Sequence, residues 1–262
     1  MAIEVDIRGQ MAGRLKKKFL YGLLYLFFWL VIAGLIYLIF FAGGTCEDGK
    51  QNQKEEAIDC GGPCIPCAIK NAKPLKIFPV EFFENADQTV TVLAQIKNEN
   101  EKVGIKNLPY TLNIYDLNNQ KVFTGHGEIL INPASNRLII EAGLSSNFSS
   151  LSRGEVVYEE PKWEIFEKSQ LLQLTPLTRS IEGNRIIFFG RAINNNPFLI
   201  SQVEIQGILL SNFGFDVSAS KTILRDIAPN NQTDFAIVFL IKPEVIPSVD
   251  FSKTKIVVET KK

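Results

Sequence analysis

A run of 24 uncharged residues, Phe19 to Ala42, constrains this chain more than any other feature of its sequence. As an α-helix the run is about 36 Å long, which is enough to cross a hydrocarbon core of about 30 Å with some tilt. The main alternative is a cleaved signal peptide, whose apolar region is usually about 7–15 residues long. The sequence therefore predicts a retained transmembrane helix over residues 19–42.

Charge predicts the orientation of this helix. A cluster of four cations lies directly before it, Arg14, Lys16, Lys17 and Lys18, and lysine and arginine favour the cytoplasmic side of a bilayer. We expect residues 1–18 to form a cytoplasmic basic tail and everything after the helix to be extracytoplasmic. The predicted location is the cell membrane, crossed once, with the lipid bilayer as one partner of the chain.

All four cysteines of the chain follow this helix closely, at positions 46, 60, 64 and 67. Outside the cytoplasm, four cysteines at such spacing form disulfides by default. We therefore predict that Cys46, Cys60, Cys64 and Cys67 form two disulfides, and the spacing leaves all three connectivities open. Because the segment is too short and polar to order itself by burial, crosslinks would supply most of its order. Residues 43–73 are predicted to be a disulfide-rich juxtamembrane segment.

Three other chemistries fit parts of this segment. Four thiolates form zinc sites, but the spacing here is irregular for a zinc ribbon. Cys64 and Cys67 have the C-x-x-C spacing of a redox dithiol, but without the βαβ pattern that usually surrounds one. Calcium prefers oxygen ligands, although the register here does not match an EF-hand loop. The calcium candidates are Asp48, Asn52, Glu55 and Asp59, with Glu56 beside them.

The remainder of the chain contains two similar halves. Val90–Asn98 aligns with Ile186–Asn194, and three further segment pairs align at offsets of 95 to 97 residues. Apolar residues alternate within these segments, and asparagine- and proline-rich turns separate them, as expected for strands. The predicted fold is therefore mainly β: one N-terminal transmembrane α-helix followed by two tandem immunoglobulin-like antiparallel β-sandwiches, over residues 74–162 and 163–262. The residues predicted to share a core face are Val90, Val92, Ala94 and Ile96 in the first half and Phe235, Ile237, Phe239 and Ile241 in the second.

Two short motifs recur in the halves. One is a strand that ends in asparagine, at Gln95–Asn98 and Gly190–Asn194, and the other is a Tyr-Asp-like hairpin, at Ile114–Val122 and Leu209–Val217. On these motifs the halves resemble the FxLYD and late-embryogenesis-abundant type 2 families, with Ser211 where the family has aspartate. The resemblance implies β-sandwich modules that bind or brace other molecules and carry no catalytic residues.

The cysteine segment resembles a short motif of surface proteins. Its form is C-x-[DN]-G-x-x-N-x-x-E-x-x-x-D-C-G-G-x-C-x-x-C, and it implies surface location more than any activity. The matching residues are Cys46, Asp48, Gly49, Asn52, Glu55, Asp59, Cys60, Gly61, Gly62, Cys64 and Cys67.

Little else in the sequence points to catalysis or to a cofactor. Lysine plus arginine equals aspartate plus glutamate, at 28 each, which gives no indication of nucleic-acid binding. The single histidine, His126, lies between two glycines and is predicted in a loop. Phe213 and Phe215 lie in a predicted hairpin, where they either pack at a strand end or form a contact point for a partner.

These observations favour a non-enzymatic function. We predict a single-pass, membrane-anchored cell-surface protein whose tandem sandwiches bind a partner or serve a structural role in envelope assembly. The expected partner is another envelope or surface protein. One alternative is an envelope thiol–disulfide or metal-dependent enzyme built on the cysteine segment. Another is a subunit of a larger membrane assembly, in which the helix is an interaction element.

Overall fold

The computed structural model describes residues 4–40, 45–145, 147–166 and 172–261. The chain is mainly β, with a long apolar helix at its N-terminus and several antiparallel sheets. This much of the predicted fold class is confirmed. The chain divides into two compact units, Met1–Lys70 and Asn71–Lys262, and each is described by itself.

The first unit begins with helix α1, Glu4–Phe40. The helix thus includes most of the predicted basic tail, and the last two residues of the predicted span, Phe41 and Ala42, lie outside the described residues. Its stretch Lys16–Leu38 is long and apolar enough to cross a membrane, a criterion that an N-terminal signal sequence also meets. Nearly all side chains of this stretch are exposed, which suits a helix surrounded by lipid. The short helix α2, Cys67–Lys70, ends the unit.

The second unit is built from strands and two short 3₁₀ turns, at Phe148–Ser150 and Ile246–Ser248. The strands described in its first half are β1 Lys76–Ile77, β2 Glu81–Glu84, β3 Val90–Asn98, β4 Val103–Asp116, β5 Lys121–Ile131, β6 Ser135–Leu144, β7 Leu151–Tyr158 and β8 Glu164–Ile165. Those described in its second half are β9 Gln173–Leu174, β10 Thr178–Glu182, β11 Arg185–Asn194, β12 Ile200–Ser211, β13 Asp216–Ile227, β14 Asn231–Leu240 and β15 Val249–Lys261.

The two halves pair their strands in the same way. In the first half, β3 pairs with β1, β2 and β6 to form sheet A, and β4 pairs with β5, β7 and the short β8 to form sheet B. In the second half, β11 pairs with β9, β10 and β14 to form sheet C, and β12 pairs with β13 and β15 to form sheet D. All of these pairings are antiparallel.

Each half encloses an apolar core between its two sheets. One core lies between sheets A and B, and another lies between sheets C and D. Side chains alternate between the two faces of a strand, so each strand contributes every second residue to its core. The predicted core faces are confirmed for Val90, Val92, Ala94 and Ile96 in the first core and for Phe235, Ile237, Phe239 and Ile241 in the second.

A third apolar cluster joins the halves. It lies between the outer faces of sheets A and D, which therefore pack against each other. Strand β3 is consequently buried on both faces. The buried members of the cluster are Leu93, Leu138 and Ile140 from sheet A and Ile208, Leu210 and Ala219 from sheet D.

A buried arginine lies at this contact. Arg137 of β6 is 4% exposed, and its guanidinium donates to the Glu204 carboxylate at 2.7 Å and to the Gln206 side-chain oxygen at 3.2 Å. The Gln206 amide in turn donates to the Leu138 carbonyl at 3.0 Å. Desolvating a charge is costly unless it is paired and hydrogen-bonded. The contact is therefore stable only when sheets A and D are placed so that these hydrogen bonds form.

A buried asparagine closes the first half. Asn98 is 1% exposed and ends β3. Its side-chain amide donates to the Val103 carbonyl at 2.8 Å and to the Asn132 carbonyl at 3.0 Å. Its side-chain oxygen accepts from the backbone N–H of Asn100 at 3.0 Å. One side chain therefore ties the β3–β4 connection to the β5–β6 connection.

The same arrangement occurs in the second half. Asn194 is fully buried and ends β11. Its amide donates to the carbonyls of Phe198 at 2.9 Å and Ile227 at 3.0 Å, and its oxygen accepts from the N–H of Asn196 at 2.9 Å. The asparagine that ends the recurrent strand motif is thus a hydrogen-bonding hub in both halves.

Residues beyond the predicted end of the first domain, at residue 162, still contact the first half. Strand β8 pairs with the start of β4, and Trp163 packs against the core between sheets A and B. A Cβ added to Gly104 would lie 2.6 Å from the Phe166 ring, so that ring closely covers β4. Residues 167–171 lie outside the described residues, and the domain boundaries stay a prediction.

We expect Arg137→Ala to lower the free energy of unfolding by about 3–5 kcal/mol, because it removes the buried donor to Glu204 and Gln206. Among the described residues, Glu204 then keeps only the longer 3.9 Å contact to Lys221 as an ion pair. Arg225→Ala is the matched control, because Arg225 is exposed, and it should change stability by no more than about 0.5 kcal/mol. Urea denaturation of the full chain in detergent micelles, followed by circular dichroism, measures both. Equal effects would contradict a structural role for the guanidinium.

We expect Asn194→Ala to lower the free energy of unfolding by about 2–4 kcal/mol, because buried carbonyls lose their donors. Asn194→Asp keeps the shape but removes the donors, and it should be at least as destabilising. The control is Asn118→Ala in an exposed turn, which should have little effect. The same urea titration measures all three proteins. An Asn194→Asp protein as stable as the original chain would contradict the role of the Asn194 amide as a donor.

Candidate functional site

Both disulfides lie in the cysteine segment. Cys46 is bonded to Cys64, and Cys60 is bonded to Cys67. The structure thus selects one of the three connectivities that the spacing left open. The bridges enclose a loop with little regular structure, in which Ala57 and Cys60 form an isolated β-bridge.

The acidic residues of this segment brace its loop. The Asp48 carboxylate accepts from the Asn52 side-chain amide at 2.8 Å, and this bond is the main reason that the pKa of Asp48 lies below its usual range. Glu55 accepts from the backbone N–H groups of Asn52 and Asp59, both at 3.2 Å. Asp59 accepts from the N–H of Gly49 at 3.0 Å. The three carboxylates among the calcium candidates therefore accept hydrogen bonds from the loop itself, whereas the side-chain oxygen of Asn52 is buried without a hydrogen-bond partner among the described residues.

The arrangement offers little to a metal or to thiol chemistry. Among the described residues, the group whose possible ligand atoms lie within 4.8 Å of one another is Cys46, Glu55 and Cys64. The two sulfurs of that group are bonded to each other, and a disulfide lacks the thiolate charge that binds metals. A redox C-x-x-C also needs Cys64 and Cys67 to be bonded to each other, whereas each is bonded elsewhere. The segment is therefore a loop crosslinked by two disulfides.

The turn between β12 and β13 presents two aromatic side chains to solvent. Phe213 is 86% exposed and Phe215 is 72% exposed. Packing at a strand end, the simpler interpretation of these residues, is therefore wrong. We define residues 211–216 as the aromatic tip. Burying one phenylalanine side chain stabilises a protein by about 1.5–3 kcal/mol, and the tip lacks this stabilisation unless another molecule covers its rings.

Hydrogen bonds hold the aromatic tip in one shape. The N–H of Ser211 donates to the Phe215 carbonyl at 2.8 Å, and the N–H of Gly214 donates to the Ser211 carbonyl at 2.9 Å. The Ser211 hydroxyl oxygen accepts from the N–H of Phe215 at 3.1 Å. Gly214 has a φ of +86°, a conformation that glycine adopts without strain. The exposed rings thus project from a closed turn.

The 3₁₀ turn Ile246–Ser248 and the start of β15 brace the base of the tip. The N–H of Asn212 donates to the Ser248 carbonyl at 2.9 Å, and the Lys253 ammonium donates to the Asn212 carbonyl at 3.1 Å. Lys253 also pairs with Asp250 at 3.0 Å. The pKa of Asp250 is lowered, first by a hydrogen bond from the Ser252 hydroxyl and then by the bond from Lys253. These contacts supply the tip with a rigid support.

The first half builds the equivalent turn without aromatic residues. The N–H of Asp116 donates to the Gln120 carbonyl at 2.9 Å, and the N–H of Asn119 donates to the Asp116 carbonyl at 3.0 Å. Asp116 also accepts from the N–H of Gln120 at 2.8 Å, as the Ser211 hydroxyl does in the second half. The exposed apolar residue of this turn is Leu117. The turn therefore closes with either aspartate or serine at its first residue, and closing it does not require phenylalanine.

His126 lies in strand β5, so its prediction as a loop residue is wrong. The glycines around it serve packing rather than a turn, since a Cβ on Gly127 would lie 2.7 Å from the Tyr110 ring. Burial of that ring, followed by nearby acidic groups, raises the pKa of Tyr110 to about 12. His126 is exposed on the outer face of sheet B, and its Nδ1 is 3.1 Å from the Thr111 hydroxyl.

Comparisons with known proteins add little to this description. No protein-family model and no curated protein matches the chain. Among solved structures, the crystal structure of red sea bream transglutaminase aligns with 73% of this chain and 29% of its own, at 11% identity and a TM-score of 0.26. The chain thus covers less than a third of that protein, and a likeness at this level carries no argument about fold or activity.

We expect exported, non-reduced protein to contain no free thiol, because both disulfides are internal to the segment. Alkylation under denaturing conditions should add no mass before reduction and four groups after it. Electron-transfer fragmentation, which cleaves the backbone between Cys60, Cys64 and Cys67, should then link Cys46 to Cys64. A Cys64–Cys67 bridge would contradict this pairing and favour a redox dithiol.

Proposed function

We propose that this chain is a single-pass, membrane-anchored cell-surface protein with a non-catalytic ectodomain of two tandem immunoglobulin-like β-sandwiches. Its function is to bind another protein of the envelope or cell surface through the aromatic tip. Residues 1–18 face the cytoplasm in this proposal, and the ectodomain follows the helix.

Length, composition and charge support the anchor. Lys16–Leu38 is long and apolar enough to span, and the basic residues before it favour the inner side of a membrane. The two disulfides that follow fit an oxidising compartment. A crosslinked segment between the helix and the sheets acts as a spacer in this proposal.

The recurrence of pairings and hubs supports tandem sandwiches. Sheets A and B enclose one core and sheets C and D enclose another, with the same strand connections. Asn98 and Asn194 occupy equivalent positions and make equivalent hydrogen bonds. The asparagine belongs to the strand motif on which the halves resemble FxLYD and late-embryogenesis-abundant type 2 domains.

The exposure of Phe213 and Phe215 carries the binding proposal. Aromatic residues are enriched among the energetically dominant residues of protein interfaces. A rigid tip loses little conformational entropy on binding, and covering both rings is worth about 3–6 kcal/mol. The matching partner presents an apolar cleft wide enough for two rings, with a polar rim for the neighbouring Asn212 and Lys253.

Photo-crosslinking in the native membrane tests this proposal. A benzophenone amino acid at position 213 of the full chain should capture a partner protein, whereas the same probe at Leu117, in the equivalent turn, should not. The variant Phe213→Ser with Phe215→Ser should abolish capture by a probe at Asn212 and leave the melting temperature unchanged, because neither ring packs in a core. Equal capture from both turns, or capture that survives the double variant, would refute the proposed site.

A further inference from the structure

Two asparagines of the second unit lie in the tripeptide Asn-x-Ser/Thr, in which x is any residue except proline. Asn147 begins the sequence Asn-Phe-Ser, and Asn231 begins the sequence Asn-Gln-Thr. In exported proteins this tripeptide is the acceptor sequence for N-linked glycans. The tripeptide also occurs by chance, so the accessibility of the side-chain nitrogen decides whether either asparagine is an acceptor.

The structure separates these two asparagines from those that hold the fold together. The hub residues Asn98 and Asn194 are buried, and their side-chain nitrogens donate to backbone carbonyls. Asn147 and Asn231 are exposed. Within the described ranges, every hydrogen bond of their side chains is made by the oxygen Oδ1, so neither side-chain nitrogen has a partner there. Both nitrogens are free to react.

The serine of the first tripeptide orients the acceptor amide. Asn147 has an extended backbone and directly precedes the 3₁₀ turn Phe148–Ser150. Its Oδ1 accepts from the Ser149 hydroxyl at 2.7 Å and from the Ser149 N–H at 3.2 Å. Because the oxygen and the nitrogen of an amide lie on opposite sides of its carbon, these bonds direct the nitrogen Nδ2 away from the turn. The nitrogen therefore faces solvent.

The second acceptor lies at a strand end. Asn231 is the first residue of β14 and follows a turn in which Asn230 has a φ of +52°. Its Oδ1 accepts from the N–H of Gln232 at 2.8 Å, which again leaves Nδ2 free. Thr233 is two residues further along the strand, so its side chain is on the same face as that of Asn231. The hydroxyl and the amide of this tripeptide are therefore presented together.

We propose that Asn147 and Asn231 are sites of N-linked glycosylation. This inference rests on the extracytoplasmic location in the proposed function and goes beyond it. The donor is an oligosaccharide linked to a polyprenyl phosphate or pyrophosphate, used by a membrane glycosyltransferase. The nitrogen Nδ2 forms a bond to the anomeric carbon of the first sugar and loses one proton. The bond from that carbon to the phosphate oxygen breaks, and the lipid phosphate leaves with the electron pair, so nothing is oxidised or reduced.

A glycan on Asn147 would lie beside the first-half turn that is equivalent to the aromatic tip. The Ser150 carbonyl, at the end of the same 3₁₀ turn, accepts from the N–H of Leu117 at 2.9 Å. The aromatic tip has no such acceptor, because its Asn212 is followed by Phe-Gly and not by a residue with a hydroxyl two positions later. A bulky, polar glycan would therefore restrict access to the first turn and leave the tip open.

Mass spectrometry of the full chain, purified from its native membrane, tests the proposal. Trypsin separates the two acceptors into peptides 138–153 and 226–253. Both peptides should carry the mass of sugar residues, and electron-transfer fragmentation should place that mass on Asn147 and on Asn231. An unmodified asparagine in disulfide-bonded protein would overturn its assignment and leave the proposed function standing. Unmodified asparagines together with four free thiols would overturn both, because the chain would then not be exported.

Substitution of the hydroxyl residues provides the reciprocal test. Ser149→Ala should remove the added mass from peptide 138–153 and leave peptide 226–253 glycosylated, which shows that the variant is still exported. Ser150→Ala is the matched control, because it alters the same turn but keeps the tripeptide, and both peptides should stay glycosylated. Ser149→Thr should also keep the glycan, and Thr233→Val should remove only the second one. Sugar mass on peptide 138–153 that survives Ser149→Ala would overturn the assignment to Asn147.

Discussion

The side-chain amide of one asparagine holds together the two crossings between sheets in each half. Asn98 ends β3 in sheet A, and it donates to the first residue of β4 in sheet B and to the connection that returns from β5 to β6. Asn194 does the same between sheets C and D. A buried carbonyl that loses a donor is costly, so the amide stabilises the half most when both crossings are formed. The two sheets of a half and the core between them depend on this single hydrogen-bonding group.

The contact between sheets A and D extends this order across both halves. Apolar residues form most of this contact. The free energy of burying apolar surface changes little when one sheet shifts slightly over the other. The Arg137 guanidinium is directional, because its bonds to Glu204 and Gln206 form only in one placement. We infer that the apolar cluster supplies affinity and the buried ion pair supplies register. The aromatic tip at the end of sheet D therefore projects from a support that spans both halves.

Alternation of apolar and polar residues predicted the core face of several strands. It did not predict where the second face of a strand is also buried. Val90 to Ile96 alternate, so their core face was predictable, but Leu93 on the opposite face is covered by sheet D, a contact that no local pattern encodes. The loop prediction for His126 failed because Gly127 beside it leaves room for the Tyr110 ring of the neighbouring strand and does not form a turn. The disulfide connectivity and the exposure of Phe213 likewise depend on contacts between distant residues. The amino-acid composition predicts neither the disulfide connectivity nor the exposure of a particular side chain.

A comparison of the two equivalent turns distinguishes the residues that a turn needs in order to close from those that it does not need. Both turns close through the same backbone hydrogen bonds, and both use a side-chain oxygen at their first residue, from Asp116 or from Ser211. The first turn achieves this with Leu117 and polar residues, so the fold gains nothing from aromatic rings at the tip of the second. Exposed phenylalanines lower solubility and leave burial energy unused. The fold does not need these phenylalanines and their exposure has a cost, and this is the basis of the proposal that a partner covers them.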